Sequence, residues 1–177
     1  MLSRAEHERI LALHYRPYRG KVETSVARGV VAGRRVVHIS SHSFTPALDG
    51  ELRNADVGLL YDPARRGERA LCEAWSSALA RRIAPLRVRR NYPYQGRNDG
   101  LTSHLRRRFA PAHYVGVELE VNQKHVRAGE RIPAGLSRAI IESLREALAT
   151  GRGARRNARS TGRGRTRPSA QVPGATC

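Results

Sequence analysis

The sequence predicts an α/β domain, a mixed and mostly parallel sheet with flanking helices. Short β-branched runs alternate with helical stretches between residues 35 and 149, the order that builds layered sheets with helical cover. Two helical stretches carry a single apolar stripe each, Leu71, Trp75, Leu79 and Ile83 in one and Leu136, Ile140, Leu144 and Leu148 in the other. That spacing buries one helix face against a sheet. The run "YVGVELEV" at 114–121 alternates strictly, as a strand does.

Taken in order, residues 4–14 read as a short helix with Ile10, Leu11 and Leu13 apolar. Pro17 suits a first helical turn, and Val22, Val26 and Val30 recur at helical spacing until Gly33. Strands are expected at 35–41 and 57–61, forming an antiparallel pair, with a loop over 46–55 between them. Pro63 and Gly67 punctuate a turn, and the helix 68–83 ends at Pro85. A third strand at 86–90 leads into the turn-rich loop "NYPYQGRNDG" (91–100). A helix at 101–109, a fourth strand at 113–121 and a helix at 132–149 complete the domain, residues 1–150. Residues 151–177 are dominated by Arg, Gly, Ser, Pro and Ala. They hold too little apolar surface to offset the entropy of ordering, so a disordered Arg/Gly-rich tail is expected.

The net charge is +18. Seven arginines and no acid in 151–177 carry +7 of it, and the body holds the remaining +11. Such a balance reports on solubility and non-specific binding rather than fold. No apolar run reaches the length of a membrane span, and the start, "MLSRAEHERI", has no apolar core of a signal peptide. Cys72 and Cys177 are too few for a disulfide framework. A reducing, cytoplasmic setting is expected.

Three places could carry chemistry. "HISSHSFTP" puts His42 at a strand end, where α/β sheets bind ligands. In "VELEVNQ", Glu118, Glu120 and Asn122 share one strand face, with the two carboxylates about 6 to 7 Å apart. A carboxylate buried there is a candidate general base or metal ligand. In the loop 91–100, Gly96 and Gly100 allow close backbone approach, and Arg97 could hold a carboxylate in bidentate fashion. Each also has a structural reading: a hydrogen-bonded strand-end His, a solvated edge-strand face and an ordinary loop arginine. The chain has no P-loop, GxGxxG, GxSxG, HExxH or CxxC pattern.

Five segments in order, "HYRPYRGKVE", "HISSHSFTP", "RNADVGLLYDPAR", "RRNYPYQGRNDGLTSHLRRRF" and "YVGVELEVNQ", resemble the N-formylglutamate amidohydrolase family over about residues 10 to 127. The resemblance implies a fold like that of the zinc-dependent carboxypeptidases. It implies hydrolysis of the amide of N-formyl-L-glutamate or a related N-acyl amino acid. It implies that His42 is a zinc ligand, that Glu120 is the general base and that the Asn91-to-Gly96 loop, with Arg97 beside it, holds substrate. Family members have an upstream part carrying further strands, another metal-site His and an Asn-Arg pair. The resemblance therefore implies an N-terminally incomplete chain with a weak or absent metal site, and a sheet edge through which it forms a homo-oligomer. A contrasting expectation is a non-catalytic α/β remnant whose basic body and tail bind nucleic acid or another polyanion, with salt-sensitive affinity.

Overall fold

The computed structural model describes residues 2–98, 100–126 and 132–161. Four strands form one mixed sheet: β1 (Val36–Phe44), β4 (Val57–Leu60), β5 (Val88–Arg90) and β6 (Tyr114–Asn122). Their order is β1-β6-β4-β5. β1 pairs with β6 in parallel, β4 with β5 in parallel, and β4 with β6 antiparallel. Two ladders of three are parallel, as expected.

The expected antiparallel pair of the first two strands does not form, because β6 lies between them. The burial of each strand explains the choice. β6 is buried along nearly its whole length, whereas residues 41–43 of β1 are exposed. A central position satisfies both backbone edges of the buried strand and leaves the wetter one outside.

Helix α3 (Arg66–Arg82) crosses from β4 to β5, and α5 (Ala134–Thr161) packs beside it on the same sheet face. Their stripes meet the odd-numbered residues of β6: Leu71, Trp75, Leu79 and Ile140 form one core with Val115, Val117, Leu119 and Val121. The Trp75 indole N–H is buried there and donates to Ser143 Oγ at 3.0 Å. The even-numbered face is covered by α2 (Arg16–Val31) and α4 (Gly100–Arg108), through Val26 and Leu105 against Tyr114. This cover reaches the start of β1 and β6 and leaves their far ends open.

The N-terminal helices are continuous. α1 (Arg4–Ile10) joins α2 through a π-helical turn, Leu11–Tyr15. Pro17 sits at the start of α2, where its missing N–H and fixed φ are tolerated, so the expected break at Tyr15 is a widened turn instead. The expected loop 46–55 holds a small hairpin, β2 (Ala47–Leu48) with β3 (Glu51–Leu52), turned by Asp49 and Gly50 at φ 52° and 81°. Helix α5 continues to Thr161, into the arginine-rich segment, where Ala and Arg favour helix. The tail reading for 162–177 lies outside the described residues. Among the described residues no helix is long and apolar enough to cross a membrane.

Candidate active site

The site is built from the pairing of β1 with β6. His42 stands opposite Glu120 and Ser40 opposite Glu118. Partners in register share a face, so these four side chains project together where α2 and α4 no longer cover the sheet. They line a cleft of about 630 Å³. Its walls are Tyr18 from α2, the loop residues Pro93, Tyr94, Gln95 and Asn98, and the start of α4 at Gly100 and Leu101.

Two glycines bring the loop against the strands. A Cβ on Gly58 would lie 2.3 Å from Tyr92 O, and one on Gly96 would lie 2.2 Å from Tyr61 N. Neither approach is open to any other residue. Gly58 is also the register partner of Glu120 on β4, so this close approach sets the loop beside the carboxylate. The loop is clamped from below by Arg106, whose guanidinium donates to Gly96 O, to Gly116 O at 3.0 Å and to both oxygens of Glu68 at 3.1 Å. Glu68 in turn accepts from the N–H groups of Asp62 and Gly116.

The two strand carboxylates differ. Glu118 accepts from Thr102 Oγ1 at 2.5 Å, near the start of α4. Glu120 is only 6% exposed, and its Oε2 is buried with no hydrogen-bond partner. Burial pushes the Glu120 carboxyl above its ordinary value, while the charge on His42 pulls it back, that of Glu118 adds to the rise, and that of Arg53 also opposes it. A buried, unpartnered carboxylate oxygen facing a cleft is the arrangement of a proton acceptor. Beside it, His42 Nε2 and Ser40 Oγ are hydrogen-bonded at 2.8 Å. Deeper on the same face, His38 Nδ1 bonds Tyr114 Oη at 2.8 Å. Burial holds the His38 imidazole below its ordinary range, and the charges of Arg106 and His42 act in the same direction.

His42 and Glu120 are thus brought together. His42 does not follow the strand end, as expected, but lies within β1, which runs on to Phe44. Glu118 and Gly100 line the same cleft, whereas Asn91, Gly96 and Arg97 stand apart from its lining. Asn91, at φ 51°, uses its Oδ1 to accept from Tyr61 N and Gly96 N, so it shapes the loop from behind. Gly96 is buried under Arg106. Arg97 is exposed and outside the lining. Sequence reasoning missed Tyr94 and Tyr18 in the wall, although both sit in the segments that carry the family resemblance.

A catalytic zinc takes three protein ligands and a water. Among the described residues, no three His, Cys, Asp or Glu side chains are arranged to hold a metal ion. His42 and the orphaned Glu120 oxygen supply two donors, which does not fit a complete zinc centre.

The model of the N-formylglutamate amidohydrolase family matches residues 1–127. This chain belongs to the N-formylglutamate amidohydrolase family. The match contains all four sheet strands and the whole cleft. Among solved structures, a gene product of Agrobacterium tumefaciens shares 30% identity at a TM-score of 0.63, over 84% of this chain and 56% of that one. The N-formylglutamate amidohydrolase of Ralstonia eutropha shares 20% identity at a TM-score of 0.58, over 86% of this chain and 57% of that one; at that identity the likeness is one of fold. The family member described here spans little more than half the length of either. No curated protein matches the chain.

Proposed function

We propose that the cleft hydrolyses the amide of N-formyl-L-glutamate or a related N-acyl amino acid, with Glu120 as general base. The observation that carries this reading is the buried Glu120 oxygen that has no partner and faces the cleft beside His42. Family membership supports the reaction class.

The chemistry is direct. Ionised Glu120 takes a proton from water as the water oxygen attacks the acyl carbon. The proton passes to the amide nitrogen as the C–N bond breaks, which leaves a free amine and a carboxylate. Glu118 is already tied by Thr102, so it is the poorer acceptor. His42 stands across from Glu120 and is placed to donate to the developing oxyanion. The carboxypeptidase-like fold that the resemblance implies belongs to the same reading, whereas zinc enters no step of it, because His42 and Glu120 alone do not complete a metal centre among the described residues. The fold's support is the mixed sheet with the site on its central strand.

The test is release of formate and glutamate from N-formyl-L-glutamate by the purified chain, with and without added zinc. Turnover in either condition, absent from a heat-denatured control, supports the reading. No turnover in both conditions refutes it for this chain.

A further inference from the structure

The cleft is not uniform along its floor. His42 and Glu120 lie toward the open ends of β1 and β6, and Glu118 lies toward the end that α4 covers. The surroundings of Glu118 are apolar. Leu60 of β4 is its register partner and shares its face. Leu101 stands on its other side, at the start of α4, because Gly100, at φ 86°, brings the chain so close that a Cβ there would lie 3.0 Å from Glu118 Oε1. Tyr18, Pro93 and Tyr94 add further apolar wall.

The two tyrosines leave much of that wall uncovered. Tyr94 is held rigidly, with the Arg53 guanidinium 5.0 Å from its ring centroid and Arg53 Nη1 donating to its Oη at 2.8 Å, yet it is 46% exposed. Tyr18 is 59% exposed. It follows the π-helical turn Leu11–Tyr15, an irregularity frequent at functional sites. Aromatic surface left open in a concave site with a few polar groups on its floor marks a place where a ligand packs. The cleft, about 630 Å³, falls among those of roughly 300–1,000 Å³ that hold drug-sized ligands. A formyl carbon carries only hydrogen beside the amide, so it has nothing to set against these walls.

We infer that the covered end of the cleft is an acyl-group subsite, in which Tyr18, Leu60 and Leu101 pack an aromatic acyl group, so that N-arylacyl amino acids are bound and hydrolysed in preference to N-formyl ones. This rests on the reading of the cleft as an amide-hydrolysing site. The acyl carbon must lie beside Glu120, and the two halves of the substrate then point to opposite ends. The amino acid half carries an ionised carboxylate. An apolar wall costs that group its hydration, and Glu118 repels it. The neutral acyl half therefore takes the covered end and the charged half the wet one. Water adds to the arylacyl carbon, the C–N bond breaks and the water proton passes to nitrogen, which leaves an arylcarboxylate and a free amino acid. Covering one aromatic ring is worth roughly ten- to a hundredfold in affinity.

The experiment is calorimetric titration of the full chain carrying Glu120→Gln, so that ligand is not consumed, with N-phenylacetyl-L-glutamate, N-formyl-L-glutamate and N-formyl-L-phenylalanine. The phenylacetyl compound is expected to bind at least tenfold more tightly than N-formyl-L-glutamate, and N-formyl-L-phenylalanine to show no such gain. Adding Tyr18→Ala is expected to cut the preference at least threefold. Tyr18→Phe, which keeps the ring, is expected to retain it, as is Tyr15→Ala, at an exposed tyrosine outside the lining. Tyr18 is itself exposed, so these variants leave the core intact. A smaller preference, one that survives Tyr18→Ala, or an equal gain for N-formyl-L-phenylalanine overturns the inference. Hydrolysis by the wild type separates the two readings. Cleavage of N-formyl-L-glutamate without the phenylacetyl preference overturns the subsite and leaves the catalytic reading standing. A Tyr18-dependent preference without cleavage of either glutamate compound upholds the subsite and refutes the catalytic reading.

Discussion

Glu120 concentrates the functional reading in one side chain, and its environment has a stability consequence. Burial raises its carboxyl above the ordinary value, so the folded state holds its proton more tightly than the unfolded chain. Such a group costs nothing below the ordinary carboxyl value. Its cost grows as pH rises through the window between the unfolded and folded values, and is complete above the folded one. Glu120→Gln is therefore expected to raise the melting temperature at pH 7 to 8, with the gain disappearing near pH 4; calorimetry at the two pH values checks it. An unchanged or lower melting temperature at pH 7 would mean that the carboxylate is stabilised in the folded state. The same direction governs rate, since a base must be ionised: turnover is expected to climb with pH through the raised value. At this scale the sequence was informative. Alternation alone placed Glu118 and Glu120 on one face, and the family resemblance singled out Glu120 and His42. Alternation does not show that Thr102 ties one carboxylate and leaves the other free, because that contact joins a helix start to a strand.

Most helices and strands were legible from periodicity to within a few residues, although α5 runs to Thr161, well past its expected end at 149; their assembly was not legible. The order β1-β6-β4-β5 puts the last strand in the middle, and no local pattern encodes that. Even the hairpin at Asp49-Gly50 had a local signal, a two-residue turn with positive φ at both positions, that the shortness of its strands concealed. The element-level device that holds the site is the Arg106–Glu68 pair. It links α4 to α3, to β6 through Gly116, and to the cleft loop through Gly96. Sequence gave it no prominence, since Arg106 is one of three consecutive arginines and Glu68 opens an ordinary amphipathic helix. Both side chains are nearly fully buried. Arg106→Met is expected to cost about 3–5 kcal/mol, because it strands a buried carboxylate. The double variant Arg106→Met/Glu68→Gln is expected to lose less than Arg106→Met alone. Urea denaturation of the two variants measures this, and a double variant at least as unstable as the single one would show that the pair is not coupled.

At the scale of the whole molecule, the sheet has two unlike edges. β5 is three residues long and carries Arg89 and Arg90, whereas β1 is nine residues long with no Lys, Arg, Asp, Glu or Pro. Short, charged edges resist pairing and long, uncharged ones invite it. Self-association through β1 is therefore expected, and Ser41→Lys, on an exposed position of that strand, is expected to shift the chain toward monomer in sedimentation velocity. A wild type that is monomeric at tens of micromolar would refute this. The net charge of +18 opposes association, so added salt is expected to favour the dimer. The account as a whole turns on which carboxylate activates water. The most direct measurement is the rate of formate release from N-formyl-L-glutamate by the wild type, Glu120→Gln and Glu118→Gln, with ligand binding measured alongside. The account predicts that Glu120→Gln loses at least a hundredfold in kcat while still binding ligand, a loss in the range that general-base catalysis supplies, and that Glu118→Gln loses far less. Near-wild-type turnover by Glu120→Gln, or the larger loss in Glu118→Gln, would contradict it.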